Sequence, residues 1–136
     1  MNLSALRAEP CYFEDLGIGD SFDSPTRTVT EADVVNFAGL SADYNRLHVD
    51  AEYAKGTPYG QRIAHGYFVL SAAAGLFVSP APGPVLANYG LDTLRFVKPV
   101  FIGDTIYLEC EVIKKRDKDA KFGIVTWQMN VTNQRR

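Results

Sequence analysis

The segment Gly66–Val78 limits the possible folds of this chain most strongly, because none of its residues is charged. A helix that is apolar on all sides is a buried helix. At ~1.5 Å per residue, such a helix would span ~20 Å. The small residues of Ala72–Gly75 would let other backbone approach closely. We expect Pro80, Pro82 and Pro84 to end the helix.

Three alternating patterns follow the apolar segment and predict β-strands at Tyr89–Val97, Ile106–Val112 and Val125–Val131. In the second pattern, apolar residues alternate with Tyr107, Glu109 and Glu111, which is typical of a strand buried on one face. The charged stretch 114–121 predicts an exposed hairpin end. Long half-buried strands joined by short turns indicate an antiparallel sheet with one face on a core. One buried helix and one such sheet make a two-layer α+β domain.

The N-terminal half carries turn and capping signals. In chain order, they predict a turn at 17–20, an edge strand at 22–29 broken by Pro25, a helix capped by Thr30 and Asp33 that ends at Gly39, and a short helix from Asp50 through Lys55.

Composition narrows the class of protein. The 136 residues fit a single domain, 1–136, and the net charge of −2 gives no basic stripe for nucleic acid. Cys11 and Cys110 are too few and too far apart to indicate a disulfide framework or a zinc site, and Cys110 is expected to be a reduced core thiol. No signal peptide or membrane-spanning run is apparent. We therefore expect a cytoplasmic protein without a membrane or nucleic-acid partner.

The segment Ser41–His48 contains the residues most suited to chemistry. It places a carboxylate, Asp43, and an imidazole, His48, five positions apart in a polar, turn-prone stretch. Five residues do not bring two side chains onto one helical face, so we expect the pair to converge from a loop. A carboxylate and an imidazole together supply general acid–base catalysis.

These residues resemble the hydratase signature of the MaoC-like family of hot-dog-fold enzymes. The resemblance rests on Phe37–His48, on Ile63–Gly66 and on the runs Phe96–Val100 and Phe101–Asp104, and it extends over roughly residues 12–134. It implies a hot-dog fold, in which a curved antiparallel sheet wraps around a long central helix at about residues 65–78. It also implies a homodimer, possibly a higher oligomer of dimers, that hydrates trans-2-enoyl-CoA to (R)-3-hydroxyacyl-CoA or catalyses the reverse dehydration. No metal or redox cofactor is implied, since coenzyme A belongs to the substrate.

The resemblance also assigns roles to individual residues. Asp43 and His48 are expected to hold one water and to share the acid and base roles, with Asn45 orienting the aspartate or the water. The N–H of Gly66, at the start of the helix, would stabilise the enolate oxygen. Ser71 corresponds to a serine that supports the site, although a helical serine also commonly bonds back to a carbonyl.

Further residues are assigned by their chemistry alone. Tyr44 and Tyr67, with Phe68 and Tyr89, are candidates for the acyl pocket, and Arg95 and Lys98, with Lys114 and Lys115, for the phosphates of coenzyme A. Plain core packing and ordinary surface charge are the alternatives for these two groups. His65 is interpreted as structural, and no metal site is expected from His48, Asp50 and His65.

Three features depart from the family pattern. Ala42 stands where glycine usually precedes the aspartate, and alanine adopts a positive φ less readily. Arg46 replaces a common proline, and the hypothesis is that its charge favours a polar or acidic acyl chain. The resemblance further implies one more strand after Gln134. The alternative functions are a hot-dog thioesterase and a non-catalytic acyl-CoA-binding or scaffold subunit.

Overall fold

The computed structural model describes residues 12–78 and 87–135. In chain order, after a short 3-10 helix at Phe13–Asp15, its elements are β1 (Ser21–Asp23), β2 (Arg27–Thr28), α1 (Glu31–Ser41), α2 (Arg46–Val49), α3 (Ala51–Lys55), α4 (Gly66–Val78), β3 (Thr105–Asp117) and β4 (Gly123–Thr132). Cys11 and the three prolines at 80, 82 and 84 lie outside the described residues. No helix in the described ranges is long and apolar enough to cross a membrane.

The longest strand, β3, organises the sheet. β1 and β2 pair antiparallel with its first part, and β4 pairs antiparallel along most of its length. The apolar residues predicted to alternate along β3 are buried, and Cys110 among them is a free, buried thiol, as predicted. They pack with residues of α4 and with Phe22 and Val34 in one core. The predicted α+β architecture is confirmed.

The capping signals of the N-terminal half are also confirmed. The Thr30 side chain accepts a hydrogen bond from the Asp33 N–H, and the Asp33 carboxylate accepts from the Thr30 N–H. The predicted end of this helix at Gly39 is two residues short, because α1 continues to Ser41 and ends where Ala42 adopts a left-handed conformation with φ of 61°. The Asp50 carboxylate caps α3 by accepting from the Tyr53 N–H.

The prediction of a strand at Tyr89–Val97 is wrong for the structure described. The segment forms no ladder, and Tyr89 and Val97 are 69% and 82% exposed. Alternation shows that a segment suits a half-buried sheet, but a strand also needs neighbouring backbone to pair with. β3 pairs with β1 and β2 along one edge and with β4 along the other, and segment 89–97 does not pair with the outer edge of β4.

The expectation that α4 is buried on all sides is correct for only part of the helix. Its buried residues are Phe68, Val69, Ala72, Ala73 and Leu76. Tyr67, Ser71, Ala74 and Gly75 are exposed in the single chain. The helix therefore has one face on the core and a second, uncharged face open to the surface.

Candidate active site

The two predicted acid–base residues lie close together in space. Nε2 of His48 is 3.9 Å from Oδ2 of Asp43, and the two side chains are 12% and 50% exposed. This separation is too long for a direct hydrogen bond, but it suits a water molecule that bonds to both atoms. Asp43 lies in a loop as predicted, whereas His48 lies on the short helix α2, which the sequence analysis did not predict.

Hydrogen bonds fix the orientation of His48. Its Nδ1 is 2.8 Å from the carbonyl oxygen of Ile63, which can only accept, so Nδ1 carries the proton and Nε2 keeps its lone pair in the neutral ring. Arg62 donates from Nε to the His48 carbonyl at 2.7 Å. The Ile63 N–H donates to the Leu47 carbonyl at 3.3 Å. Segment 62–63 therefore holds α2 in place. The sequence carried no signal for this role, because the acceptor in each of these bonds is a backbone carbonyl.

Asn45 acts on Asp43 through its backbone. Its N–H donates to Oδ1 of Asp43 at 3.2 Å, while its side-chain oxygen accepts from the Leu47 N–H and caps α2. The predicted orienting role is thus made by the main chain, and the amide side chain starts the helix that carries His48. One residue in this way connects both members of the pair.

His65 joins the pair to the start of α4. Its ring stacks on the ring of His48 with centroids 3.8 Å apart and planes 25° apart. Its Nε2 donates to the backbone carbonyl of Asp43 at 2.9 Å. Because Gly66 follows directly and begins α4, the Gly66 N–H has no carbonyl within the helix to bond. The predicted oxyanion donor is therefore next to a residue that contacts both Asp43 and His48.

Phe96 covers Gly66. A Cβ built on Gly66 would lie 2.9 Å from the Phe96 ring, so glycine is needed here for close approach. The same ring meets that of Tyr67 edge-on at 6.0 Å. The contact between Phe96 and Gly66 was not predicted from the sequence, because Phe96 was expected to lie in a regular strand.

The remaining candidates are more dispersed. Ser71 Oγ donates to the Tyr67 carbonyl at 2.8 Å, the bond-back arrangement that was the alternative for this serine. Tyr44 and Tyr67 are both mostly exposed. Arg95 and Lys98 line a broad open groove of about 2360 Å³, together with Ser71, Tyr89, Lys114 and Lys115. Asp43 and His48 are not among the described residues that line this groove.

The Arg46 hypothesis is not supported by its contacts. Both Nε and Nη2 of Arg46 donate to the Asp50 carboxylate, and the guanidinium lies 4.5 Å from the centre of the Tyr53 ring. The Tyr53 N–H, and then Arg46, lower the pKa of Asp50 below its usual value. Arg46 is therefore paired with Asp50 at the surface, and its role in the choice of acyl chain stays a prediction.

Among the described residues, the group that could hold a metal is Asp43, His48 and His65, rather than a set that includes Asp50. One ligand atom of each lies within 4.8 Å of the others. Imidazole lone pairs lie in the ring plane, and two nearly parallel rings 3.8 Å apart do not direct them to one ion at bonding distance. The arrangement suits a bound water better than a tetrahedral metal.

Comparison with known proteins agrees with this fold. Residues 15–133 match the MaoC like domain family. The chain is 50% identical over 107 residues to Protein MaoC of Klebsiella aerogenes, covering 79% of this chain and 32% of that protein. It is 43% identical over 98 residues to an (R)-specific enoyl-CoA hydratase of Rhodospirillum rubrum, covering 70% and 65%. The chain thus spans about one third and just under two thirds of these relatives.

Solved structures give the same result. A monoamine oxidase regulatory protein from Archaeoglobus fulgius superposes with a TM-score of 0.85 at 43% identity, covering 99% of this chain and 87% of the other. A Mycobacterium tuberculosis protein with a double hotdog fold has a TM-score of 0.72 at 23% identity, covering 95% and 41%, which bears on the fold alone. The architecture is a hot-dog fold, and the chain belongs to the MaoC-like dehydratase domain family.

Proposed function

We propose that this domain adds water to a trans-2-enoyl-CoA thioester to give an (R)-3-hydroxyacyl-CoA, or catalyses the reverse dehydration. The observation that carries the proposal is the 3.9 Å separation of Asp43 Oδ2 and His48 Nε2, with the bond from Nδ1 to the Ile63 carbonyl leaving Nε2 able to accept a proton. Relatives named (R)-specific enoyl-CoA hydratase and 3-hydroxybutyryl-CoA dehydratase support the reaction class.

The chemistry follows from the positions of these atoms. A water between Asp43 and His48 gives a proton to the pair as its oxygen bonds to C3 of the enoyl chain. The pair returns a proton to C2, so that one water is consumed and no other reactant is needed. Charge that develops on the thioester oxygen is stabilised by the N–H of Gly66 at the start of α4. Substrate that reaches this N–H must move the Phe96 ring, which now covers Gly66.

The binding roles of the other residues belong to the same proposal. Arg95 and Lys98 on the open groove would meet the phosphates of coenzyme A, and Tyr44 and Tyr67 the acyl chain. The exposed uncharged face of α4 supports a homodimer, which sedimentation equilibrium or light scattering tests. We propose that no metal or redox cofactor takes part, so activity should survive dialysis against a chelator.

The decisive experiment is to measure the hydration of a panel of enoyl-CoAs, using the loss of the absorbance of the conjugated thioester as the readout. We expect Asp43→Asn and His48→Ala each to lose about a hundredfold in kcat, because general acid–base catalysis supplies ~10²–10⁴-fold. Glu52→Gln is the matched control, since Glu52 is an exposed carboxylate on α3 that pairs only locally with Lys55. Its activity should equal that of wild type.

Three results would contradict the proposal. Release of free CoA together with the free acid would identify a thioesterase. Tight acyl-CoA binding without turnover, or turnover unchanged in Asp43→Asn, would show that the pair is not catalytic.

A further inference from the structure

His65 makes more contacts with the acid–base pair than a residue that only fills the core would need. Its side chain is among the largest fully buried ones, with 2% of the residue exposed. The edge contact with Phe37, at 5.1 Å between ring centres, supports the ring on another side. The backbone of His65 is also attached to the first turn of α4, since the Val69 N–H donates to the His65 carbonyl. His65 is therefore held rigidly before it contacts either member of the pair.

From this fixed position, His65 contacts Asp43 and His48 through different parts of one ring. The Nε2–H donates to the backbone carbonyl of Asp43, and the ring face lies against the imidazole of His48. The first contact fixes the loop that carries the carboxylate. The second limits rotation of the base, whose Nδ1 is already bonded to Ile63.

The other nitrogen of His65 argues against simple packing. Nδ1 is buried and has no hydrogen-bond partner among the described residues. A buried polar atom without a partner destabilises the folded state. A phenylalanine or leucine would fill the same space without that cost, so space filling alone does not account for an imidazole at this position.

We propose that His65 is a positioning residue, which keeps Asp43 and His48 at the separation that holds a water. This inference rests on the proposed function, because it assumes that the pair performs the reaction. It assigns His65 no direct contact with the reacting atoms. The effect is transmitted through the Asp43 carbonyl and the His48 ring.

Two substitutions separate the two contacts. His65→Phe keeps an aromatic ring for stacking and loses the donor to Asp43. His65→Gln keeps an N–H near the place of Nε2 and loses the ring. We expect kcat to fall about tenfold or more in each, with KM within about threefold, because positioning acts on the chemical step more than on binding. Val112→Ala is the packing control, since Val112 is fully buried on β3, and it should lower stability while kcat is kept.

A double variant tests whether His65 acts through Asp43. Adding Asp43→Asn to His65→Phe should cost far less than the roughly hundredfold loss it causes alone, because residues that act as a unit are not additive. A full hundredfold further loss would overturn the proposal. So would a kcat within twofold of wild type in both His65→Phe and His65→Gln.

Nuclear magnetic resonance supplies a readout that does not need activity. The chain has two histidines, so in either variant at 65 the remaining imidazole nitrogen signals come from His48. We expect the amide signals of residues 43–45 to shift and broaden in His65→Phe but not in Val112→Ala. If wild type hydrates no enoyl-CoA while these shifts appear, the proposed function fails and the positioning role stands. If the amides of 43–45 do not change, the positioning role fails whatever the activity.

Discussion

Ala42 offers a direct test of how the loop before Asp43 is held. It has φ of 61° and is the one non-glycine residue with positive φ among those the structure describes. A left-handed conformation costs an L-residue about 1–2 kcal/mol relative to the right-handed one. Glycine removes that cost but loses about 0.5–1 kcal/mol through the greater freedom of the unfolded chain. The exposed methyl group of Ala42 contributes little burial. Ala42→Gly should therefore stabilise the domain by about 0.5–1 kcal/mol.

The matched control reverses the change. Gly60 has φ of +71°, and a Cβ placed there meets nothing within 4 Å. Gly60→Ala therefore adds the conformational cost without a clash, and it should destabilise the domain by about the same 0.5–1 kcal/mol. Urea unfolding of both variants gives the two free energies. For a domain of this size, either change corresponds to a melting shift of about 2–5 °C.

One combination of results would refute the reasoning. If Gly60→Ala costs the expected free energy while Ala42→Gly is neutral or destabilising, residue 42 does not keep its left-handed conformation in solution. The loop that presents Asp43 would then differ from the structure. If Ala42→Gly stabilises the domain and Gly60→Ala destabilises it, as expected, the hydration kinetics of Ala42→Gly show whether relief of this conformation also alters catalysis.

Three further outcomes follow from the structure. Thr30→Ala removes the hydroxyl that accepts the third N–H of α1 and should cost about 1 kcal/mol in urea unfolding, whereas Thr30→Ser should cost much less. Gly66→Ala should lower stability and activity because its Cβ meets the Phe96 ring, and Phe96→Ala in the same chain should recover the stability; no recovery would mean that the ring is not the obstacle. The folded pKa of Asp50 is lowered, chiefly by the Tyr53 N–H, so its contribution is present above pH 3.8 and is lost as pH falls through the folded value. The stability difference between wild type and Asp50→Asn should accordingly shrink towards zero on acidification, and a constant difference would contradict this.

Of the helices that the structure describes, α1, α3 and α4 could be predicted from the sequence because their signals are local, whereas α2 was not predicted. The capping box at Thr30 and the cap at Asp50 are made within three residues, and the charge-free run gave Gly66–Val78 directly. The predicted end of α1 at Gly39 is wrong because glycine is a common helix stop signal, whereas α1 ends at Ser41 and Ala42 is its C-cap. Only the fold around Asp43 determines that Ala42 turns left-handed.

The strand at 89–97 shows the limit of alternation as a signal. Its alternation is less regular than that of β3, since Arg95 falls on its apolar face and Phe96 on the other, and β3 is paired whereas 89–97 is not. The difference lies in long-range backbone partners, which a periodic pattern does not specify. The candidate site is affected because Phe96 does not lie in a strand and its ring instead lies against Gly66.

The Asp43–His48 pair was found from residue type and spacing, but the groups that would let His48 act as a base in the proposed reaction lie elsewhere in the chain. The carbonyl of Ile63 fixes its proton on Nδ1, and the carbonyl of Asp43 fixes the proton of His65 on Nε2. Neither carbonyl depends on its own side chain for this, so substitutions at Ile63 can preserve the site provided that the backbone stays in place. The Ile63–Phe101 bridge and the bond from the Ala64 N–H to Val100 hold that backbone. The tautomers that the proposed reaction would use are therefore a property of the chain path through 63–65, and changes that loosen this path should lower the kcat of that reaction without altering Asp43 or His48.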